Sequence, residues 1–484
     1  MTIRNLDRLF RPTSVAVVGA SDRATSVGAT VMRNLLTGGF AGPIWPVNPK
    51  YLMVAGQRAY AAIGKLPGIP DLAVICTPPH TIPGVIVESG ASGAKAAIVL
   101  TGGVSSGKTA TGASLTSAML DAARPHLLRI LGPNCVGLLV PKIGLNASFA
   151  HTHALRGNLA FVSQSGALTT ALLDWAKTNQ IGFSHFISLG DSADVDFGDV
   201  LDYLASDSET RAILLYIESI KAARKFMSAA RAAARNKPVI AVKAGRAAEG
   251  AKAAASHTGA LAGADDVYDA AIRRAGMLRV ATTLDLFDAA ETLAHAKPLY
   301  GERLAILTNG GGPGVMATDA FVAGSGKLAQ LSEQTIEELN AVLPPTWSHG
   351  NPVDIIGDAP VERYTAALKI LLEDPQADAV LFIHAPTAIV PSAHIAEACV
   401  PLLGDTRRNV LACWLGGEGV KQADAIFTAA QIPTYTTPEE AAGAFLQLID
   451  YRRNQETLME TPSSVSEEFF PDVEAARQII CSVL

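Results

Sequence analysis

The sequence is poor in charged residues and in cysteine, and both shortages exclude classes of function. Charged side chains make up 17% of the 484 residues, with 39 basic residues against 45 acidic ones. This mixed balance provides no basic surface for nucleic acid or for an anionic membrane, so neither partner is expected. The five cysteines form no C-x-x-C pair, so the sequence predicts neither a disulfide framework nor a zinc cluster.

Long apolar runs are absent as well. No run reaches the roughly 18 residues that cross a bilayer, and the first ten residues are mixed polar rather than the apolar core of a signal peptide. These absences predict a soluble, cytoplasmic protein. At roughly 150 residues per domain, the chain is long enough for about three domains.

Short runs rich in Val, Ile and Leu alternate with helical Ala/Leu stretches, which is typical of an α/β fold with parallel sheets covered on both faces. Three of the predicted strands lead into a turn of small residues and then a helix: 14–21 (SVAVVGAS), 159–166 (LAFVSQSG) and 304–312 (LAILTNGGG). Each predicts the start of a Rossmann-like unit. We therefore expect domains at 1–145, 146–298 and 299–456, followed by a linker or tail at 457–484.

Turns of this kind present unpaired backbone N–H groups at a helix N-terminus, which is a favourable place for phosphate. The first turn is Gly19-Ala20-Ser21, without a full G-x-G-x-x-G pattern. The second strand ends in Asn48-Pro49-Lys50, where a dinucleotide fold that binds NAD has an acidic residue. A lysine there favours a ligand with an extra phosphate, either CoA or NADP, although an ordinary turn with a solvated lysine fits as well.

A P-loop pattern, G-x-x-x-x-G-K-T, occupies residues 102–109 after a predicted strand at 96–100. Taken alone, it indicates an NTPase. A P-loop also requires a strand-end acid for magnesium, which residues 213–218 could supply only from across a predicted domain boundary.

The other two turns are richer in hydrogen-bond donors. They comprise Ser163, Gln164, Ser165 and Gly166 before a helix predicted from Ala167, and Asn309, Gly310, Gly311 and Gly312 before a helix predicted from Gly314. If the two helix N-termini converge, they stabilise one phosphoryl group from two sides without a lysine. Two ordinary strand-to-helix turns fit the same residues.

His257 stands in a long Ala- and Gly-rich stretch rather than in a periodic apolar pattern, which suits a side chain that approaches phosphate or moves between sites. A neutral imidazole can attack phosphorus near pH 7 because its ordinary pKa is ~6.5. Glu218, at the end of a strand predicted over 212–217, is the best candidate to orient the other ring nitrogen. A solvated loop histidine is the alternative.

Taken together, these segments resemble the α-type portion of NDP-forming acyl-CoA synthetases, the ADP-forming group related to succinyl-CoA synthetase. The resemblance covers essentially the whole chain. It rests on 14–21, 47–50, 77–79, 132–135, 163–168, 193–196, 256–263, 309–319 and 351–354.

The resemblance implies a CoA-binding Rossmann-like domain followed by two flavodoxin-like domains, with His257 as the phosphorylated residue and Glu218 as its partner. It implies that the helices after Gly166 and Gly312 embrace the phosphate. It also assigns the loop after the strand at 96–100 to CoA, which makes the P-loop match incidental. The CoA-binding residues implied are Gly19, Ala20, Ser21, Asn48, Pro49, Lys50, Thr77, Pro78, Thr101, Gly102, Gly103 and Asn134.

Relatives complete the reaction with an ATP-grasp domain, either fused or on a separate subunit, and no such segment is present here. We therefore expect a hetero-oligomer in which a β-type partner holds ATP or ADP and Mg²⁺, unless the chain is a fragment or a degenerate remnant. The expected reaction interconverts carboxylate, ATP and CoA with acyl-CoA, ADP and phosphate. A CoA-sensing module without turnover is the alternative from a binding class. The acid is left open among acetate, longer aliphatic, aryl and functionalised short acids.

Overall fold

The first sheet is built from short apolar strands whose residues are largely buried, as runs covered on both faces predict. The computed structural model describes residues 3–247, 249–250, 252, 264–404, 406–460 and 472–483. The sheet is parallel in the order β2-β1-β5-β6-β7, and β3 and β4 form a separate hairpin. Its strands are β1 (Val15–Val18), β2 (Ile44–Val47), β3 (Met53–Val54), β4 (Gln57–Arg58), β5 (Leu72–Ile75), β6 (Ala96–Val99) and β7 (Arg129–Leu131), and its helices are α1 (Leu6–Phe10), α2 (Val27–Thr37), α3 (Ile82–Ala91) and α4 (Leu115–Ala123).

The second sheet has the order β14-β13-β12-β10-β11-β8-β9 and is parallel except for the pairings of β8. Its strands are β8 (Gly137–Val140), β9 (Leu145–Ser148), β10 (Leu155–Ser163), β11 (Gly182–Ser188), β12 (Ala212–Ile217), β13 (Val239–Lys243) and β14 (Leu278–Val280). Among the described residues its helices are α5 (Gly166–Thr178), α6 (Phe197–Ser206), α7 (Ala223–Ala234), α8 (Asp265–Arg274) and α9 (Asp285–His295).

The third sheet is parallel in the order β16-β15-β18-β19-β20, with β17 also paired to β15. Its strands are β15 (Arg303–Thr308), β16 (Lys327–Leu328), β17 (Val353–Asp354), β18 (Ala379–His384), β19 (Asn409–Trp414) and β20 (Thr434–Tyr435). Its helices are α10 (Gly311–Ala323), α11 (Glu333–Val342), α12 (Val361–Glu373), α13 (Ser392–Gly404), α14 (Lys421–Ala429) and α15 (Pro438–Met459), and α16 (Val473–Val483) follows. The three sheets confirm the predicted α/β class, whereas the predicted domain limits stay predictions.

The long helix α15 ties the third sheet to the second. Near its end, the Asn454 side-chain amide donates to the Met277 carbonyl over 2.8 Å, and that of Gln455 donates to the Gly276 carbonyl over 2.7 Å. Both carbonyls precede β14, the edge strand of the second sheet. The helix thereby fixes how the two sheets stand relative to each other.

A cluster of ion pairs joins the first sheet to the second. Arg129 on β7 lies 3.0 Å from Asp194 and 3.1 Å from Asp199, and Lys225 lies 2.9 Å from Asp196. Arg129 and Asp199 are largely buried, where an unpaired charge would be costly, so the cluster holds the two domains in one orientation. Segment 193–196, one of those that carry the resemblance, therefore has a structural role.

Within the part of the chain that the structure describes, no helix combines the length and the apolar character that a bilayer crossing requires.

Candidate active site

A tight turn joins β10 to the N-terminus of α5. The Ser163 hydroxyl accepts from the Ser165 N–H and donates to the Ser165 carbonyl, both over 3.1 Å. The Ser165 hydroxyl in turn accepts from the Leu168 N–H over 3.4 Å, so it caps the helix. Among the residues that the structure describes, a Cβ added at Gly166 would meet only the Val136 side chain, at 3.3 Å. The first helical turn therefore has room beside its N–H groups for an anion.

Gln164 connects this turn to the end of the neighbouring strand. Its side-chain oxygen accepts from the N–H groups of Glu218 and Ser219, over 2.7 and 2.9 Å, and its side-chain nitrogen donates to the Ser219 carbonyl over 2.9 Å. Glu218 is thus held at the carboxyl end of β12, beside the N-terminus of α5. The sequence predicts Gln164 as a phosphate ligand, and the structure gives its side chain this bridging role.

The turn between β15 and α10 repeats the same design. The Thr308 hydroxyl accepts from the Gly310 N–H over 3.1 Å and donates to the Gly310 carbonyl over 2.9 Å. The Asn309 side chain makes two 2.8 Å hydrogen bonds, one to the N–H and one to the carbonyl of Ala385, which follows β18. In both turns a hydroxyl closes the loop and an amide bridges to the next strand. The prediction of two equivalent turns thus has a structural basis.

The helix α10 begins at Gly311, three residues earlier than the sequence predicts. Beyond the neighbouring backbone of its own helix, no atom of the described part of the chain lies within 4 Å of the place where a Cβ at Gly312 would stand, and a Cβ at Gly311 would lie 3.3 Å from an Asp354 carboxylate oxygen. Asp354 ends β17 and is a residue that sequence reasoning left without a role, although its segment 351–354 carries part of the resemblance. A carboxylate at this place favourably faces the positive end of the helix.

A cleft of about 830 Å³ separates the first and second sheets and brings several predicted residues together. Gly103 and Asn134, from the first, share it with Gln164, Gly166 and Glu218, from the second. The remaining lining residues are Leu100, Ser105, Ser106, Cys135, Val136, Phe149, Ala167, Thr170, Gly190, Asp191, Ser219 and Lys221. None of Asn309, Gly310, Gly311 and Gly312 lines it, so the convergence of the two helix N-termini stays a prediction.

Asp191 joins the two sides of this cleft. Its carboxylate accepts from the Asn134 amide over 3.2 Å and from the Ser105 hydroxyl, and the Lys221 ammonium donates to its carbonyl over 2.6 Å. The loop comes so close that a Cβ at Gly190 would lie 2.3 Å from the Pro133 carbonyl oxygen, and Gly190 has a φ of 56°. Glycine is therefore required there, and Asp191 links Asn134, a predicted CoA residue, to Lys221 on the other side of the cleft.

The predicted residues at the carboxyl edge of the first sheet form a second group. The Asn48 amide donates to the Ala20 carbonyl over 2.7 Å, so the ends of β1 and β2 are fixed together. A Cβ at Gly28 would stand 2.1 Å from the Gly19 carbonyl oxygen, which shows how closely the first turn of α2 approaches Gly19. Pro49 and Lys50 are exposed beside this turn. A helix N-terminus with a nearby ammonium suits a phosphate of CoA.

Thr77, Pro78, Thr101 and Gly102 lie between the two groups. The Thr101 hydroxyl donates to the Thr77 carbonyl over 2.7 Å, which joins the ends of β5 and β6. Pro78 and Gly102 are exposed, and a Cβ at Gly102 would lie 3.0 Å from the Asn134 side-chain oxygen. The predicted CoA residues therefore follow one edge of the sheet, from the Gly19 turn to the cleft, which fits a long ligand.

Lys243 is a buried cation near Glu218 that the sequence analysis missed. It ends β13, in register with Ile217 on β12, and its ammonium lies 4.6 Å from the centre of the Tyr268 ring. Burial lowers the pKa of Lys243, while the charges of Asp265 and Glu218 oppose that shift. The sequence predicts a strand that ends at Lys243, but a lysine at a strand end carries no local sign that it is buried near Glu218.

His257 lies outside the described residues. On its two sides the described chain places the end of β13 at Lys243 and the start of α8 at Asp265. Since β13 neighbours β12 in the sheet, Lys243 lies next to the strand that ends before Glu218.

Comparisons with known proteins match this architecture along the chain. Family models match as a CoA binding domain at residues 13–141, a succinyl-CoA ligase like flavodoxin domain at 156–293 and a ligase-CoA domain at 304–459. Acetate–CoA ligase [ADP-forming] II subunit alpha of Pyrococcus furiosus is 40% identical over 93% of this chain and 98% of its own length. The chain belongs to the ADP-forming acyl-CoA synthetases. It corresponds to their α-type portion, as predicted.

Two further matches show how much of an ADP-forming acyl-CoA synthetase the chain comprises. Acetate–CoA ligase [ADP-forming] I of Archaeoglobus fulgidus is 40% identical over 93% of this chain, which spans 64% of that protein. The acetyl-coenzyme A synthetase 1 of Ca. Korarchaeum cryptofilum, solved with phosphate and ADP, has a TM-score of 0.84 at 36% identity and covers 94% of this chain and 98% of its own. The predicted enzyme class, an acid–thiol ligase, is confirmed, and the family supports CoA and a nucleotide as participants.

The P-loop alternative is wrong. In a P-loop the Lys-Thr pair opens the helix that holds the phosphates. Here Lys108 is exposed and forms a β-bridge with Ser114. The next residue, Thr109, belongs to a turn in which its carbonyl accepts a 2.9 Å hydrogen bond from the Gly112 N–H. The helix α4 begins only at Leu115. The pattern is therefore a coincidence in a glycine-rich loop of an ADP-forming acyl-CoA synthetase.

We expect Lys108→Ala to leave nucleotide binding unchanged, because the Lys108 ammonium does not stand at a helix N-terminus. Titration calorimetry of the chain with ATP, before and after the substitution, measures this. Lys50→Ala is the matched control. It should weaken the binding of CoA by about fivefold, the equivalent of ~1 kcal/mol for an exposed charge pair. Tight ATP binding that disappears in Lys108→Ala would restore the P-loop interpretation.

Proposed function

We propose that the chain is the α-type subunit of an ADP-forming acyl-CoA synthetase that works through an acyl phosphate and a phosphohistidine. The cleft between the first two sheets carries this proposal. It gathers the loop at Gly103 and Asn134, the open helix N-terminus at Gly166 and the carboxylate of Glu218. CoA thioester and phosphate can therefore meet in it. Relatives named subunit alpha imply a partner subunit, and we assign to that partner an ATP-grasp domain that holds the nucleotide and Mg²⁺.

In the direction that consumes acyl-CoA, the first step takes place at the N-terminus of α5. A phosphate oxygen attacks the thioester carbonyl, the C–S bond breaks, and CoA leaves as a thiolate that takes up a proton. The product is an acyl phosphate. The N–H groups of the first helical turn stabilise the negative charge of the phosphate without supplying a proton, by hydrogen bonding and by the helix dipole.

In the second step an imidazole nitrogen of His257 attacks the phosphorus, the bond from phosphorus to the acyl oxygen breaks, and the carboxylate leaves. Glu218 accepts a hydrogen bond from the other ring nitrogen and stabilises the positive charge that develops on the ring. The phosphohistidine then transfers its phosphoryl group to a terminal oxygen of ADP on the partner. The reverse sequence makes acyl-CoA from a carboxylate, ATP and CoA.

The steps up to the phosphorylation of His257 can be separated experimentally from the transfer to ADP, because only the transfer needs the partner subunit. With phosphate and a panel of acetyl-, hydroxybutyryl- and aryl-CoA, the chain without partner should release about one CoA thiol per molecule for its preferred substrate and then stop. Addition of ADP, Mg²⁺ and the ATP-grasp partner should restore turnover. A thiol assay follows both phases. The absence of CoA release with every member of the panel, with or without the partner, would contradict the proposal.

A further inference from the structure

Phe149 is an exposed aromatic residue in the cleft between the first and second sheets. Its exposed fraction is 36%, whereas Leu100 and Val136, which line the same cleft, are 6% and 4% exposed. Ligand pockets are typically lined by apolar and aromatic side chains of this kind. A molecule that enters the cleft can therefore cover the Phe149 ring and remove its surface from water.

Buried hydrogen bonds fix the backbone on both sides of Phe149. The Asn34 amide, on α2, donates to the Ser148 carbonyl over 2.9 Å and to the Ala150 carbonyl over 2.8 Å. The Phe149 N–H itself donates to the Val136 carbonyl over 3.2 Å. The ring is thus exposed on a rigid segment rather than on a loose loop, and a rigid segment suits a side chain that makes a precise contact with a ligand.

Val136 connects Phe149 to the turn that precedes α5. Its carbonyl accepts the hydrogen bond from Phe149, and its side chain lies 3.3 Å from the place where a Cβ at Gly166 would stand. Ala167, the next residue of α5, is exposed and lines the same cleft. Phe149, Val136 and Ala167 therefore form an apolar wall beside the helix N-terminus.

The charges of the cleft disfavour an acyl chain that carries a carboxylate of its own. Among the described residues that line the cleft, the charged side chains are those of Asp191, Glu218 and Lys221, and the Lys221 ammonium donates to the Asp191 carbonyl over 2.6 Å. Two carboxylates and one ammonium give this lining a negative balance, which repels an anionic group. A hydrocarbon chain meets no such repulsion and gains free energy when it leaves water.

We propose that Phe149 is a specificity-determining residue whose ring contacts the acyl chain of the thioester, and that the apolar wall selects monocarboxylic acids with a hydrocarbon chain over dicarboxylic acids. This inference rests on the proposed function, because it takes the cleft as the place where phosphate attacks the thioester. A phosphate at the N-terminus of α5 brings the carbonyl carbon beside the apolar wall. The chain attached to that carbon then lies against the Phe149 ring.

Butyryl-CoA and succinyl-CoA are suitable probes, because their four-carbon acyl groups differ only in a terminal methyl group against a terminal carboxylate. Calorimetry with the chain measures the affinity of each thioester and of free CoA. We expect butyryl-CoA to bind about tenfold more tightly than CoA, and succinyl-CoA to bind no more tightly than CoA. Phe149→Ala should remove the advantage of butyryl-CoA and leave the affinity of CoA within about twofold of the original.

Two further variants serve as controls. Phe149→Leu keeps an apolar side chain and should retain the advantage of butyryl-CoA to within about threefold. Val87→Ala removes an apolar side chain that is 49% exposed on α3 and is not among the described residues that line the cleft, so it should change neither affinity. An undiminished advantage of butyryl-CoA in Phe149→Ala would overturn the role of Phe149. Succinyl-CoA that binds as tightly as butyryl-CoA would overturn the proposed selectivity.

Release of the CoA thiol in the presence of phosphate separates this inference from the proposed function. If the original chain releases thiol but Phe149→Ala keeps the same ratio of butyryl-CoA to acetyl-CoA rates, the contact with the acyl chain is contradicted and the proposed function is not. If Phe149→Ala loses the binding advantage while no thioester releases thiol, the contact is supported and the proposed function is contradicted.

Discussion

Replacement of His257 by alanine will abolish acyl-CoA formation while CoA affinity stays within about twofold of the original. The expected loss of turnover is at least about 10⁴-fold, because removal of a covalent nucleophile leaves only the binding contribution to catalysis. CoA affinity is retained since the residues assigned to CoA lie along the edge of the first sheet. A coupled assay with the ATP-grasp partner measures turnover, and calorimetry measures CoA binding.

His151→Ala provides the control for this experiment. His151 is an exposed histidine of the second domain that lies 3.2 Å from the Asp174 carboxylate, and it should be replaceable without loss of turnover. If His257→Ala retained full activity, the chain would transfer phosphate by another route. If neither the original chain nor His257→Ala turned over with any partner while both bound CoA, the sensing module would be the better account.

The second large effect is expected from Glu218→Gln. The glutamine keeps the size of the side chain but not its charge, so it can no longer balance the positive charge that the imidazole acquires on phosphorylation. We expect the rate of phosphohistidine formation to fall by about 10²- to 10³-fold, with little change in CoA affinity. Rapid-quench sampling after addition of an acyl phosphate measures this rate.

Glu209→Gln is the matched substitution for this prediction. Glu209 precedes the same strand, β12, at its opposite end, where its carboxylate pairs with Lys142 over 2.7 Å. It should leave the rate of phosphohistidine formation unchanged. A Glu218→Gln chain that is phosphorylated as fast as Glu209→Gln would show that the Glu218 carboxylate has no part in the transfer.

The fold could be predicted where apolar runs meet turns of small residues. The strands expected at 14–21, 159–166 and 304–312 appear as β1, β10 and β15, and the strand expected over 212–217 is β12. These signals are local, because a strand that is buried on both faces has a continuous run of apolar residues in the sequence. The antiparallel pairing of β8 to β11 was not predicted, since strand partners far apart in sequence leave no periodic pattern.

The candidate site was predicted where a residue type and its position at a strand end were enough. Glu218 and the two turns predicted to bind phosphate stand at strand ends as expected, and their roles stay predictions. The bridging roles of Gln164, Asn309 and Asp191 depend on which strand ends become neighbours, and no local pattern contains that information. The P-loop interpretation was wrong for the same reason. The motif at 102–109 does not show where the next helix begins, and that helix begins six residues after Thr109, at Leu115.

The most direct test of the central claim is the identity of the residue that carries phosphate. The chain is incubated with an acyl phosphate alone, and separately with ATP, Mg²⁺ and the ATP-grasp partner, and is then digested at neutral pH for mass spectrometry. The account predicts an acid-labile phosphate on His257 under both conditions. Phosphate on another residue, or an unphosphorylated chain under both conditions, would contradict it.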